Sequence, residues 1–344
     1  MNGVEQHGET KPAAPESSAI LSERWRLATL GREQVVQLGF MATIIGLLYV
    51  MFHLLGNTVE HNVSSRSAFA WMLSRWNDSI SYGGADYSHG PLIPLVSLAV
   101  LWIKRRELIS APKAVCQWGL VVIVVALASH WLGAKIQQTR MSLFALIMLF
   151  WGVPLYFYGW QVAKLLIFPC SYLIFCVPLT FLDTLSFPLR IFATSFSTHM
   201  ANIMGIGVYC SGSRILSDSS AGFQFDVADP CSGLRSLLAM TALTAVYAFF
   251  TQKTQLKKWA LFLASIPLAM AGNCARILSI IIVSAAFGEQ AALKIYHDYS
   301  GYIMFVVAVS LMVGVGALMN MDYRQQWRRL RGWLLTREGA AEGR

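Results

Sequence analysis

Eight apolar runs constrain this chain more than any other feature: residues 38–55, 91–103, 118–132, 141–158, 165–182, 234–250, 259–287 and 302–319. A helix that crosses the hydrocarbon core of a bilayer needs about 20 apolar residues. The runs therefore predict an all-α, polytopic transmembrane helical bundle of about eight spans. The second run is short. The seventh is long and is interrupted by Gly272, Asn273 and Arg276. Only 13% of residues are charged, about half the share typical of a soluble domain, so lipid is the expected main solvent. No internal repeat and no separate soluble domain is visible.

The net charge of +9 does not point to nucleic acid. The basic residues fall in short runs between apolar segments: Lys104-Arg105-Arg106, Lys257-Lys258, and Arg328, Arg329 and Arg331. Such runs set topology and contact anionic lipid heads. With the N-terminus inside, the inside segments hold eighteen lysines and arginines and the outside loops eight. The expected layout is a cytoplasmic tail over 1–36, a transmembrane domain over 37–320 and a basic cytoplasmic tail over 321–344. The first apolar run lacks a small-residue cleavage site after it, so it reads as an anchor rather than a removed signal peptide.

Two outside segments are long. Residues 56–90 contain Tyr87-Ser88-His89-Gly90. Residues 183–232 begin with an amphipathic stretch over 185–204, whose Leu185, Leu189, Ile191, Phe192 and Phe196 share a side, as in a short helix lying on the outer membrane surface. Phe223, Phe225 and Val227 then alternate with Gln224 and Asp226, a strand or hairpin signal. It leads into Asp229-Pro230-Cys231-Ser232-Gly233, just before the sixth span.

Six cysteines occur and none forms a CxxC pair. Buried small hydrophobe is the ordinary reading of a cysteine in an apolar run, and it is kept for all but Cys231. That residue precedes a helix, whose free N–H groups and positive dipole end favour a thiolate. Arg235, one turn on, adds positive charge. Arg276 lies in an apolar stretch, where a charge costs at least about 2.5–3.5 kcal/mol, so a polar cavity or partner is expected around it. Asn273 shares its helix face. His297, before the eighth span, falls on the same face of the membrane as Cys231. A nucleophile, an acid/base and a cation for a developing oxyanion are the parts of acyl transfer.

Cys231-Ser232-Gly233, Asn273-Cys274-Ala275-Arg276, and His297 with Gly301 resemble three motifs of the exosortase family, in family order and with one membrane crossing between neighbours. Tyr87-Ser88-His89-Gly90-Pro91 resembles that family's first outer loop. The resemblance covers roughly residues 40 to 320. It implies a cysteine protease or transpeptidase of the cell inner (plasma) membrane, working at the outer face without metal or other cofactor. Its partners would be membrane-anchored proteins carrying a C-terminal sorting signal: a short motif (Pro-Glu-Pro in the best-known case), one spanning helix and a basic tail. In that reading Cys231 attacks, His297 moves protons and Arg276 stabilises the oxyanion. Ser232 and Gly233 offer backbone N–H groups, Asn273 holds His297 or Arg276, and His89 lines the site.

Two other readings stand beside it. A transporter would use Arg276 in its pathway, although such proteins often show repeats. A non-catalytic assembly protein of an envelope polysaccharide system would leave Cys231 inert. Serine-elbow and zincin mechanisms lack their GxSxG and HExxH motifs here.

Overall fold

The computed structural model describes residues 32–56, 66–77, 87–179, 181–218, 222–227, 234–292 and 297–321. The helices are α1 (Arg32–Tyr49, continued by a π-helical turn Val50–Leu54), α2 (Ala68–Asn77), α3 (Leu92–Ile103), α4 (Arg105–Ser110), α5 (Trp118–Lys135) and α6 (Thr139–Tyr172). After them come α7 (Phe181–Ile203), α8 (Leu234–Thr251), α9 (Gln255–Phe287) and α10 (His297–Asn320). Three short strands, β1 (Val208–Ser211), β2 (Arg214–Ser217) and β3 (Gln224–Asp226), lie between α7 and α8.

The packing is that of a membrane protein. Helix α5 buries only Gly119, Ala126 and Gly133, one small residue every seven, against α6. Its Trp118, Val121, Val124 and Trp131 point outward and are exposed. Small residues at a helix seam and large apolar ones outside suit lipid, which offers no hydrophobic reward for hiding the large ones. Four stretches among the described residues are long and apolar enough to cross a membrane: Trp118–Lys135, Thr139–Cys176, Gln255–Phe287 and Gly301–Asn320. Gly39–Leu54, Leu92–Ile103 and Leu237–Thr251 are shorter apolar helices.

Helix α6 is two limbs, not one rod. Gly159 has φ +80° and ψ −175°, a conformation open to glycine and costly for other residues. The Trp151 indole N–H donates to the Ala163 carbonyl at 2.9 Å, twelve residues along. In a straight helix those backbones would stand roughly 18 Å apart, so the chain reverses at Gly159. The two limbs correspond to the separate runs 141–158 and 165–182. At the far end of the hairpin, Arg140 Nε donates to the Pro178 carbonyl at 2.8 Å.

The two ends of the bundle differ. One end brings Lys104 and Lys258 over the Phe249 ring, the Lys257 ammonium to the Met319 carbonyl, and the Asn320 amide to the Thr251 carbonyl. The other end holds the Arg140–Pro178 contact and the strands. There the strand signal at 223–227 holds: Phe223, Phe225 and Val227 are buried while Gln224 and Asp226 are exposed. The sequence reading expected no more than a hairpin; β1, β2 and β3 form a three-stranded antiparallel sheet in that order. Strands β1 and β2 are too short and too mixed in composition to show a period. Helix α7 forms over the amphipathic stretch. Its Ala193, Thr194, Ser197, Thr198 and Ala201 are buried, and Ser197 Oγ donates to the Cys274 carbonyl of α9. Phe187, Phe192 and Phe196 point away from the protein.

Candidate active site

The site is built from the order of three neighbouring helices. Helices α8 and α10 run in the same direction. Thr244 Oγ1 donates to Met312 Sδ at 3.2 Å, Gln252 Nε2 to the Gly316 carbonyl at 3.4 Å and Asn320 Nδ2 to the Thr251 carbonyl at 3.3 Å, at sequence offsets of 68, 64 and 69. Extended upward, that register sets Leu234, the first residue of α8, opposite the first two turns of α10. Helix α9 runs the other way between them. A Cβ on Gly272 would lie 3.2 Å from Ala308 Cβ and 3.2 Å from the Met304 carbonyl oxygen, so glycine allows α9 and α10 to pack closely. Gly272 is thus level with Met304–Ala308. Arg276, one turn further along α9, is level with about Tyr302 and with the start of α8. His297 begins α10 roughly 7 Å further out along the axis.

This geometry sets Arg276 against its neighbouring helices. The sequence suggested a charge well inside the seventh span, about ten residues from its outer end. Helix α9 has 33 residues and is roughly 50 Å long, against a hydrocarbon core of about 30 Å. Arg276 stands roughly 27 Å from Lys258, at the level where its neighbours α8 and α10 begin. The last three turns of α9 rise beyond the first residue of α8, somewhat less than two of them beyond His297, and are coated by the sheet. Ile277, Ile280 and Ile281 pack there with Val208, Ile215, Phe223, Phe225 and Val227. Arg276 therefore sits at the junction of bundle and cap. It is 9% exposed and Asn273 is 5% exposed, so both face protein rather than lipid. The Ser279 hydroxyl donates to the Arg276 carbonyl at 2.7 Å, the local back-bonding available to a serine within a helix.

Cys231, Ser232 and Gly233 lie outside the described residues, three, two and one positions before α8. Arg235 and His297 are placed as helical backbone, Arg235 in the first turn of α8 and His297 as the first residue of α10. No metal-holding group of three or more His, Cys, Asp or Glu side chains occurs among the described residues.

Residues 76 and 87–89 are tied to the same end. Tyr87 Oη accepts from the Leu179 N–H at 2.7 Å, and the Trp76 indole N–H donates to the Cys176 carbonyl at 2.9 Å. The His89 ring stacks on Tyr87 with centroids 5.9 Å apart, and both its ring nitrogens are shielded from solvent. Tyr87, Trp76 and Cys176 share a buried cluster with Leu238 and Ala242 of α8. His89 thus belongs to a layer that reaches the first turns of α8. Sequence reasoning did not single out Arg140, which fastens the turn after the α6 hairpin to this layer. Its only signal was an arginine directly before an apolar run.

No curated protein and no solved structure matches the chain. A family model described as Transmembrane exosortase (Exosortase_EpsH) matches residues 76–314, which is more than half of the chain and takes in every motif named above. The chain is a multi-pass membrane protein, and it belongs to the transmembrane exosortase family.

Proposed function

We propose that this chain is a cysteine protease or transpeptidase that removes the C-terminal sorting signal of exported, membrane-anchored proteins at the outer face of the inner membrane. The carrying observation is the shared level of three elements: the start of α8, buried Arg276 of α9, and the start of α10 with His297. Cys231 precedes α8 by three residues in the sequence, which supports reading the three sequence-distant motifs as parts of one site. We read the described apolar helices, with α6 as two limbs, as eight spans with both termini cytoplasmic.

In the proposed reaction the Cys231 thiolate attacks the scissile carbonyl, and the oxyanion that develops is stabilised by Arg276 and by backbone N–H groups at the start of α8. The C–N bond breaks and His297 delivers a proton to the leaving amine, which departs with the spanning helix and basic tail. His297 then takes a proton from the acceptor, water or another nucleophile, as it attacks the thioester carbonyl and regenerates the thiolate. Asn273, on the buried face of α9 one turn before Arg276, orients the arginine or the imidazole.

The test is co-expression with a protein carrying such a signal. Wild type should convert it to a product lacking the C-terminal helix, and Cys231→Ala should not. Conversion by Cys231→Ala at the wild-type rate would discard the cysteine mechanism and favour a non-catalytic assembly role.

A further inference from the structure

Beyond the layer of Arg276, the cap contains a cleft of about 600 Å³ between the sheet and the outer end of α9. The sheet side supplies Ile206, Gly207, Asp218 and Phe223, and the helix side supplies Ser284, Ala285, Gly288 and Glu289. Ser284 lies eight residues past Arg276, roughly 12 Å further out.

Every electrostatic feature of the cleft favours a cation. Asp218 and Glu289 line it, and among the described residues no lysine or arginine does. Neither carboxylate has an ion-pair partner among the described residues, whereas the third acid of this region, Asp226, is engaged by Arg214 at 3.5 Å and by Ser213 at 2.7 Å. Glu289 is held in place on one oxygen by the Gln224 N–H at 3.3 Å. The C-terminal end of α9 is at Phe287, so its last carbonyls and negative dipole end lie at the cleft. Ser284 adds an independent observation. It is 3% exposed, lines the cleft, and its hydroxyl has no hydrogen-bond partner among the described residues. Buried hydroxyls are ordinarily satisfied; this one is shielded as it stands, and a χ1 rotation would bring it to a ligand group in the cleft.

The shape argues against a bare metal ion. The volume is that of an organic ligand site, two carboxylates contribute among the described residues, and Phe223 and Ile206 give it an apolar wall suited to an alkyl stem. Phe223 is itself fixed by stacking on Phe225 at 5.8 Å. We propose that this cleft binds a basic side chain, a lysine ammonium or arginine guanidinium, presented by an extended protein segment at the outer face of the membrane. The head group would sit between Asp218, Glu289 and the Ser284 hydroxyl, and the stem along Phe223. The proposal requires nothing of Cys231.

The experiment uses the full chain purified in detergent and a fluorescein-labelled peptide, Gly-Ser-Lys-Gly-Ser, read by anisotropy. The matching peptide with norleucine in place of lysine keeps the stem and removes the charge. Wild type should bind the lysine peptide and bind the norleucine peptide at least about tenfold more weakly, the loss expected when charge-assisted hydrogen bonds go. Asp218→Asn with Glu289→Gln should weaken lysine-peptide binding by a similar factor. Ser284→Ala, which removes one buried hydroxyl and little volume, should weaken it by a smaller factor and guards against misfolding of the double variant. Equal binding of the two peptides, or unchanged binding in the double variant, would overturn the proposal. So would saturable binding of Ca²⁺ that the double variant loses while wild type ignores the lysine peptide. Processing of a tailed substrate, measured in parallel with Cys231→Ala, is a separate readout: it can fail with peptide binding intact, or persist without it.

Discussion

At the residue scale the chemistry turns on distinguishing one thiol from five. Cys176 and Cys274 are buried, Cys116 and Cys170 are half-buried, and Cys210, on β1, is exposed. A thiol-directed probe would therefore meet Cys210 as well as Cys231, so the informative protein is Cys210→Ala. In that background we expect Cys231 to label fastest, and His297→Ala to slow it if the imidazole promotes thiolate formation. Mass spectrometry of the labelled peptides decides. Cys210→Ala itself should process substrate normally, since Cys210 is on the outer strand of the cap. Cys231→Ser should retain little activity, because a hydroxyl is a far weaker nucleophile near neutral pH. Arg276→Lys tests the arginine. An ammonium keeps the charge and loses the planar fork, so we expect normal amounts of protein in the membrane with processing reduced by at least about tenfold, the effect of removing one oxyanion donor being larger still. Wild-type turnover by Arg276→Lys would move Arg276 from chemistry to structure.

At the element scale two glycines do what their neighbours require. Gly159 reverses α6 at φ +80°, and a Cβ there would stand 2.2 Å from the Ala114 carbonyl oxygen. Both the conformation and the contact oppose any side chain. Gly159→Ala should lower stability by more than about 1 kcal/mol, seen as a lower unfolding midpoint of the purified protein. Gly46, in α1, has nothing within 4 Å of its would-be Cβ. Gly46→Ala should be neutral or slightly stabilising, because alanine loses less entropy in a helix. If both variants melted alike, the reversal at Gly159 would be in doubt. Gly272 plays the second part: its missing side chain brings α9 and α10 together one turn below Arg276, and so sets how near that arginine comes to the start of α10.

At the scale of the molecule the length of α9 separates bundle from cap. Its first part runs with α8 and α10, and its outer turns stand above them under the sheet. The proposed topology makes reporter fusions after Phe250 or Lys258 cytoplasmic and fusions near Ser219 or Gln290 external. Alkaline phosphatase and a cytoplasm-active reporter, fused in parallel, give opposite signals at each site. A cytoplasmic signal at Ser219 would turn the cap, its cleft and the Cys231 segment to the wrong side together, and the proposed activity would fall with them.

The sequence alone determined the features that depend on local composition. Apolar runs became helices because a run of that length has no other stable form in lipid, and α3 and α5 begin within one residue of the predicted positions 91 and 118. Alternation at 223–227 became β3 because period two survives even in a short strand. The family was legible in the motifs around Cys231, Arg276 and His297, and the family match spans all three; the roles proposed for them rest on how few residue types acyl transfer can use. Tertiary structure decided what depends on distance between elements. The level of Arg276 relative to α8 and α10 follows from the register of the three helices, not from its own neighbours in sequence. The sheet's first hairpin carried no periodic signal and takes its place from packing on Ile277, Ile280 and Ile281. The inward face of α7 proved to be the one with alanine, serine and threonine, because in lipid the large apolar residues gain nothing by turning inward. The cleft in the cap joins Asp218, Ser284 and Glu289 from separate parts of the chain, and no pattern along the sequence connects them.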